Sequence, residues 1–396
     1  MTPTRYDVIV AGLGAMGSAT VAHLAVRGKR VLGLDRWLPG HPYGSSHGDS
    51  RIIREMYFEH PMYVPMVHRA QELWRELEER VRRPLMKING GLMIGPRDGA
   101  LVGGTLRSAK EHGLPYEILD AHDVSRRFPP FTLRDGDVAV HDPRAGYLDP
   151  EACKAAYLKV AAKSGADLRF EEAIVSWRAS DGLVEVKTSA GTHVAERLVL
   201  SVGAWTPDLC EALDLPLTVE RQAVFWFDSG AEAPQYDPSL FPIWAHEYLP
   251  GEICYGFPLL PRGVKASVMH SGEIVSHADD VRRETTEDDL AALRQALGSV
   301  LPGLSRSHVI ESDVCLFTNT PDHDFVIDFV PGSPRVLISS ACSGHGFKFA
   351  SAIGELQADL MMDLPPRYDL SPFRIERLKT MERYGLPGEG RVTGSK

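Results

Sequence analysis

Near the end of the chain, Ala341 to Phe349 read ACSGHGFKF, bringing two glycines, an imidazole and a lysine into a few positions. The apolar run Val336-Leu337-Ile338 precedes this stretch, and Gly354 follows within a helical pattern that continues to Leu360. A strand that breaks into a glycine turn and then a helix presents backbone N–H groups where anionic or electron-rich groups sit well. Lys348 would add a fixed charge to that mouth and His345 a titratable donor. A second glycine-rich turn, Gly12-Leu13-Gly14-Ala15-Met16-Gly17, lies at the other end of the chain. If both turns face one ligand, the two chain ends build a single cofactor site.

The elements around the early turn form a recognisable unit. Tyr6 to Ala11 reads as a short buried strand. An apolar-periodic helix then runs through Ala19, Leu24 and Ala25 until Gly28, and Arg30 to Leu34 forms the next strand, ending in Asp35. In such a βαβ start Gly12 permits the tight turn, Gly14 lets a pyrophosphate approach the backbone, and Gly17 allows close helix–strand packing. Asp35 can accept hydrogen bonds from a ribose. The motif by itself leaves NAD and FAD open. The loop-like stretch Trp37 to Asp49 follows and overlaps GSSHGDSRIIR, Gly44 to Arg54. Arg51 and Arg54 could pair with nearby Asp49 and Glu55. They could instead reach a cofactor ring or a substrate carboxylate, which arginine grips through two parallel hydrogen bonds.

Further elements are legible downstream. Helices are expected from about Tyr63 to Arg83, from Asp149 to Gly165, and from Thr285 to Leu297, the last with Thr286 and Asp288 near its start and Gly298 as its stop. Leu183 to Ser201 alternates like strands around a Ser189-Ala190-Gly191 turn, and Gln222 to Ser271 suggests a mixed or antiparallel sheet. The tail beyond about Tyr384 is expected to fray.

Composition bounds the function. The 396 residues, 43% hydrophobic, suit two domains or one large α/β unit. A formal net charge of -10 argues against nucleic acid as a partner. Arg80-Val81-Arg82-Arg83 ends a helix and complements its dipole. Five cysteines without CxxC spacing indicate neither a zinc site nor a disulfide framework, so no metal is expected and a reducing, cytoplasmic setting fits. No signal peptide or membrane-length apolar run is apparent, so no membrane partner is expected.

GSSHGDSRIIR, the following YVP and QELW, and the late CSGHGFKFAS resemble the monomeric sarcosine oxidase family, which includes N-methyltryptophan oxidase. The resemblance covers nearly the whole chain in order. It implies an α/β (α+β) two-domain flavoprotein fold of the p-hydroxybenzoate-hydroxylase type. A Rossmann-like FAD-binding domain would comprise residues 1–85, 145–220 and 320–385. A mixed or antiparallel-sheet substrate domain would comprise 86–144 and 221–319, with 386–396 as a tail. It also implies FAD linked through its 8α-methyl group to a cysteine, with oxygen as the electron acceptor.

Residue by residue, Cys315 in SDVCLFTNTPDHDFVID falls at the flavin-linking position, whereas Cys342 resembles a variable small-residue position. Arg54 and Lys348 match the pair that holds the substrate carboxylate. Two cations converging on one small anion are costly without a ligand, so an anionic substrate would explain both. Arg51 matches an arginine beside the flavin, His345 a histidine near the ring, and Tyr255 in CYGFP the tyrosine over the substrate. Lys265 in RGVKASVMH matches the lysine that helps oxygen take electrons, where a cation stabilises developing superoxide. The cofactor-binding set adds Ser46, His47 and Ser50 to Gly12, Gly14, Gly17 and Asp35. From the second half it includes Cys315, Gly344, Gly346 and Lys348, together with Arg51.

Departures from the family pattern are also present. Met269 stands where a histidine is usual, with His270 next, so either the strand carries a bulge or the histidine is absent from the site. Phe317 replaces a frequent tyrosine, and Ser46 replaces the first of a histidine pair. The implied reaction oxidises sarcosine or another N-methyl amino acid to an imine, which hydrolyses to an aldehyde and the free amine while oxygen becomes hydrogen peroxide. Alternatives are a cyclic imino acid such as pipecolate or proline, a bulky N-alkyl amino acid, or a dehydrogenase passing electrons to a carrier. The expected partners are a small amino acid and oxygen, acting on a monomer.

Overall fold

The computed structural model describes residues 5–180 and 182–381. Its first strand, β1 (Arg5–Ala11), is followed by helix α1 (Ala15–Val26) and strand β2 (Val31–Leu34). Val8 to Ala11 are buried, as a strand covered on both faces of a parallel sheet must be. β1 pairs in parallel with β2 on one side and with Thr192–Leu200 on the other. Ser333–Ser340 pairs in parallel with Thr192–Leu200, setting Leu198 beside Val336 and Leu200 beside Ile338. Both glycine turns therefore leave the same carboxyl edge of one sheet, where doubly wound folds hold their ligands.

Close packing explains the glycines of the early turn. A Cβ on Gly17 would lie 1.8 Å from the Gly12 carbonyl oxygen, and one on Gly12 would lie 2.4 Å from the Ser201 oxygen. Gly14 differs, since a Cβ there would meet only Ser46 Oγ at 3.8 Å. α1 packs against the last long helix, Ala350–Met361, so closely that a Cβ on Gly354 would come within 2.4 Å of the Ala19 methyl. The chain's two ends are thus joined helix to helix as well as strand to strand.

The middle of the chain builds a second sheet. Thr218–Phe227 and Val309–Asn319 pair antiparallel along their lengths, and Ile243–Leu249, Glu252–Leu260 and Gly263–Val268 continue the sheet as a meander. One parallel pairing, Ile243–Leu249 with Gly91–Pro96, makes it mixed. A small third sheet holds β3 (Arg51–Ile53) against Gly146–Leu148, which also pairs with Met86–Ile88.

The expected helices form with small shifts at their ends. α2 spans Val64–Val81 after a single turn at Pro61–Tyr63. Pro150–Lys163 starts on Asp149, whose side chain accepts the Ala152 N–H. Glu287–Gly298 begins with a reciprocal capping box between Thr286 and Asp289, with Asp288 in its first turn; Gly298 is its last residue rather than the stop beyond it. Ala100–Glu111 and Ala121–Arg127 form further helices within 86–144, beyond those expected from the sequence. The tail beyond Tyr384 lies outside the described residues. Among those described, no helix is long and apolar enough to cross a membrane.

Candidate active site

A cavity of about 530 Å³ opens at the carboxyl edge of the first sheet. Gly12, Gly14, Asp35, Ser46, Arg51, Cys342, Gly344 and Phe347 are among the residues that line it. Asp35 accepts the Leu13 N–H at 2.8 Å and the Trp37 N–H at 3.0 Å, which fixes its carboxylate at the end of β2. The open space at Gly14, the anchored acid and the cavity's volume fit a dinucleotide. Gly17 and Gly346 line no part of it. Gly17 serves helix packing, and a Cβ on Gly346 would lie 1.8 Å from the Ala341 oxygen, so this glycine serves the turn.

The turn itself departs from the simple helix-start picture. Ser343 and Gly344 take φ of +42° and +75°, and a short 3₁₀ turn at Phe347–Phe349 precedes the helix. Lys348 therefore sits before the α-helix, where its side chain turns inward. Its ammonium donates to the His345 carbonyl at 2.6 Å and to Tyr57 Oη at 3.4 Å. Burial, with Arg54 nearby, brings its pKa down to about 7, so it is not the fixed charge expected from sequence.

His345 departs further from expectation. Its Nε2 faces the His323 carbonyl at 2.9 Å, which can only accept, so Nε2 carries the proton. Nδ1 then accepts from the Tyr57 hydroxyl at 2.5 Å. Burial pushes its pKa down to about 3. The imidazole is neutral and occupied at both nitrogens, not a titratable donor.

A smaller cavity of about 90 Å³ adjoins the first, and the two share Arg51, Phe317, Gly344 and Phe347 in their walls. The smaller one is lined by Arg54, Lys348 and Tyr255 among apolar side chains including Phe58 and Met269, and Ser50 and Cys315 also border it. Arg54 does not pair with Glu55, which instead meets Arg144 and His68. Its partner is Glu59, bound at 2.7 Å and 2.6 Å, while the Tyr57 and Phe58 rings pack against the guanidinium. The chain therefore supplies an anion to Arg54 itself, and a substrate anion is not needed to explain that buried cation.

Met269, not His270, lines the smaller cavity. The strand ends at Val268, and His270 takes φ +53° and turns to Glu220, Nδ1 to Oε2 3.0 Å. The register irregularity of this pairing lies earlier, opposite Gly256 to Leu259, and His270 borders neither cavity but packs edge-on against Phe317 of their shared wall.

At the junction, Arg51 donates to the Ser50 carbonyl at 2.8 Å, the Ser45 carbonyl at 2.9 Å and Cys315 Sγ at 3.5 Å. Burial alone would raise the Cys315 thiol, but His47, Arg51 and Lys265 outweigh it and bring the pKa down to about 6. Burial pushes the Cys342 thiol up instead. Lys265 is buried, donates to the Gly48 carbonyl at 2.6 Å and the Ser50 carbonyl at 3.1 Å, and borders neither cavity directly. Its pKa is lowered to about 7 by burial and by Arg51. Glu59, Tyr57 and Asp313 are site neighbours that sequence reasoning missed. Asp313 alone left a trace, its alternation two residues before Cys315.

Among the described residues, the one cluster with metal-ligand spacing is Asp120, His122 and Asp123, at the exposed start of a short helix and away from both cavities.

Residues 7–360 match the family model described as FAD dependent oxidoreductase (DAO). The chain is 39% identical over 382 residues to a monomeric sarcosine oxidase of Streptomyces avermitilis, covering 96% of this chain and 99% of the relative. An N-methyl-L-tryptophan oxidase of Salmonella arizonae is 33% identical, with 94% and 99% covered. Among solved structures, the open form of NikD, an unusual amino acid oxidase essential for nikkomycin biosynthesis, superposes with a TM-score of 0.81 at 26% identity. That match covers 93% of this chain and 97% of the other.

Proposed function

The chain belongs to the FAD dependent oxidoreductase family, and from that premise we propose that it oxidises a small N-methyl amino acid, sarcosine foremost, with oxygen as acceptor. The observation that carries this reading is the junction of a dinucleotide-sized cavity with a small one bearing Lys348 and Arg54. Those two cations would take the carboxylate, with Arg54 shared between substrate and Glu59. Tyr255 and the apolar wall would hold the N-methyl end toward Arg51 and Phe317. A space of about 90 Å³ favours an amino acid without a bulky side chain, since an indole would need Phe58 or Met269 to move.

Flavin, when bound, supplies the two-electron oxidation of the carbon next to nitrogen. The protein contributes position and charge. Glu59, the carboxylate on the smaller cavity's wall, is engaged by Arg54, which suits a substrate amine that arrives neutral. Lys265, beside the junction, would stabilise negative charge developing on oxygen. Overall, sarcosine, oxygen and water become glycine, formaldehyde and hydrogen peroxide.

Of the two cysteines near the junction, we assign the covalent flavin link to Cys315, because its thiol is acidified while that of Cys342 is not. The FAD unit is proposed to comprise residues 1–85, 145–220 and 320–385, and the substrate unit 86–144 and 221–319. A reducing cytoplasm is the proposed setting, with which five unpaired cysteines agree.

Turnover on sarcosine, N-methyl-L-tryptophan and pipecolate, with peroxide and formaldehyde measured together, tests the reading. Equal yields of both products from sarcosine are expected. A clear preference for pipecolate would replace the substrate. Turnover with an artificial acceptor but no peroxide in air would make the protein a dehydrogenase.

A further inference from the structure

Lys154 stands on the helix Pro150–Lys163, three positions after Glu151, so the two share one face of its start. Glu151 is already engaged. Its Oε1 accepts the Gly48 N–H at 2.7 Å and its Oε2 the Asp49 N–H at 3.2 Å, tying the helix to the loop before β3. Lys154 is 7% exposed and lines the larger cavity. Among the described residues its ammonium has no hydrogen bond and no ion pair, although lysine is almost never buried unpaired.

The other lysine and arginine side chains of that wall have partners. Arg36 donates to Asp279 at 2.7 Å and 2.9 Å, and Arg51 to main-chain carbonyls. Two nearby carboxylates are likewise taken. Asp35 holds two N–H groups, and Glu172 accepts from Thr188 and faces His193 Nε2, both at 2.6 Å. The chain thus carries a buried cation to the cavity wall and leaves it for something else to neutralise.

We propose that Lys154 is a further cofactor-binding residue, whose ammonium neutralises the diphosphate of the flavin dinucleotide. The inference rests on the FAD reading given above. Asp35, expected at the ribose, and Arg51, at the junction with the smaller cavity, line the same space and act on Lys154 electrostatically. The diphosphate joins the ribose end of FAD to its flavin end, and it carries the full negative charge of the oxidised cofactor. The start of α1, beside Gly14, offers main-chain N–H groups to the same anion, but only partial charge. Lysine suits the remaining part, since it binds phosphate as a point charge. Burial lowers its pKa and Glu151 opposes that shift; a bound diphosphate would oppose it further.

Full-length apoprotein from riboflavin-starved cells, carrying Cys315→Ser so that FAD uptake stays reversible, provides the test. Lys154→Met should weaken FAD binding by about tenfold or more, and Lys154→Arg should restore most of it. Added KCl should weaken FAD binding less in the Met variant than in its parent. The apoprotein's Tm should hold or rise in Lys154→Met, because an unpaired buried charge has gone. At saturating FAD the flavin's reduction potential should stay as in the parent. A fall in the apoprotein's Tm would mark a structural lysine and overturn the proposal. A fall in potential would place the cation at the ring and overturn it as well. Unchanged FAD affinity in Lys154→Met would sink the inference alone, whereas wild-type apoprotein that takes up no FAD would sink the cofactor reading with it.

Discussion

Arg54 donates through a single nitrogen, Nη2, to both carboxylate oxygens of Glu59, at 2.7 Å and 2.6 Å. The pair is largely buried beside Lys348, so the smaller cavity, with Arg51 in its shared wall, already holds an internal anion against Arg54 before any substrate enters. A substrate carboxylate bound as proposed would share Arg54 with a residue of the chain.

Glu59→Gln should have opposite effects on stability and affinity. Leaving a buried guanidinium unpaired costs about 3–5 kcal/mol in the ligand-free protein. The same change frees Arg54 for a carboxylate. Methoxyacetate, which resembles sarcosine without its amine, should then raise Tm more in the variant than in the wild type; an equal rise would refute competition for Arg54. The acid limb carries a second sign. Burial alone would raise the Glu59 pKa, but Arg54 first and Lys348 with it hold it below the ordinary 4.5. Its contribution is present above that value and lost as pH falls through the lower folded one. Glu59→Gln should accordingly lose less stability on acidification.

Lys348, with a pKa near 7, is charged below neutrality and neutral above it in the ligand-free site. Methoxyacetate binding should weaken from pH 6 to 8.5, because that ligand has no titrating amine of its own. Lys348→Met should bind it weakly and with a flat pH dependence. Titration calorimetry across that range would expose an error if the variant kept the wild-type slope.

Lys265→Met removes a buried cation near the proposed oxygen site. Reoxidation of the reduced enzyme should slow by on the order of 10²–10³-fold. Anaerobic reduction by sarcosine should change far less. Stopped-flow traces of the two half-reactions separate the outcomes, and equal slowing of both would point to a structural role.

The glycines of the early turn should respond differently to alanine. Gly14→Ala adds a methyl into open cavity space, so the apoprotein should keep its stability and lose FAD affinity. Gly17→Ala drives a methyl to 1.8 Å from the Gly12 oxygen and should lower the apoprotein's Tm outright. Thermal melts of apoprotein with and without FAD distinguish them.

Much of the fold was readable because its causes are local. Glycine conformational freedom, apolar periodicity and capping act within a few residues, and they marked β1, α1, β2, α2 and the capped helices to within a few positions. Gly12, Gly14, Gly17 and Asp35 needed only that context. The late ACSGHGFKF turn was likewise legible as a turn leaving a buried strand.

What its residues do once folded was not legible. Lys348 and His345 read as a charge and a donor, yet exclusion of water brings one to about 7 and the other to about 3, and Tyr57 and the His323 carbonyl occupy the imidazole. Glu59 facing Arg54, Asp313 facing His47, and Met269 rather than His270 in the cavity wall depend on how separate segments approach one another. The sequence alone determined the local turns, the strands and the residue types available at the site. Tertiary structure decided which charges meet and how dry they are, because Coulomb attraction and desolvation depend on distance through space rather than along the chain.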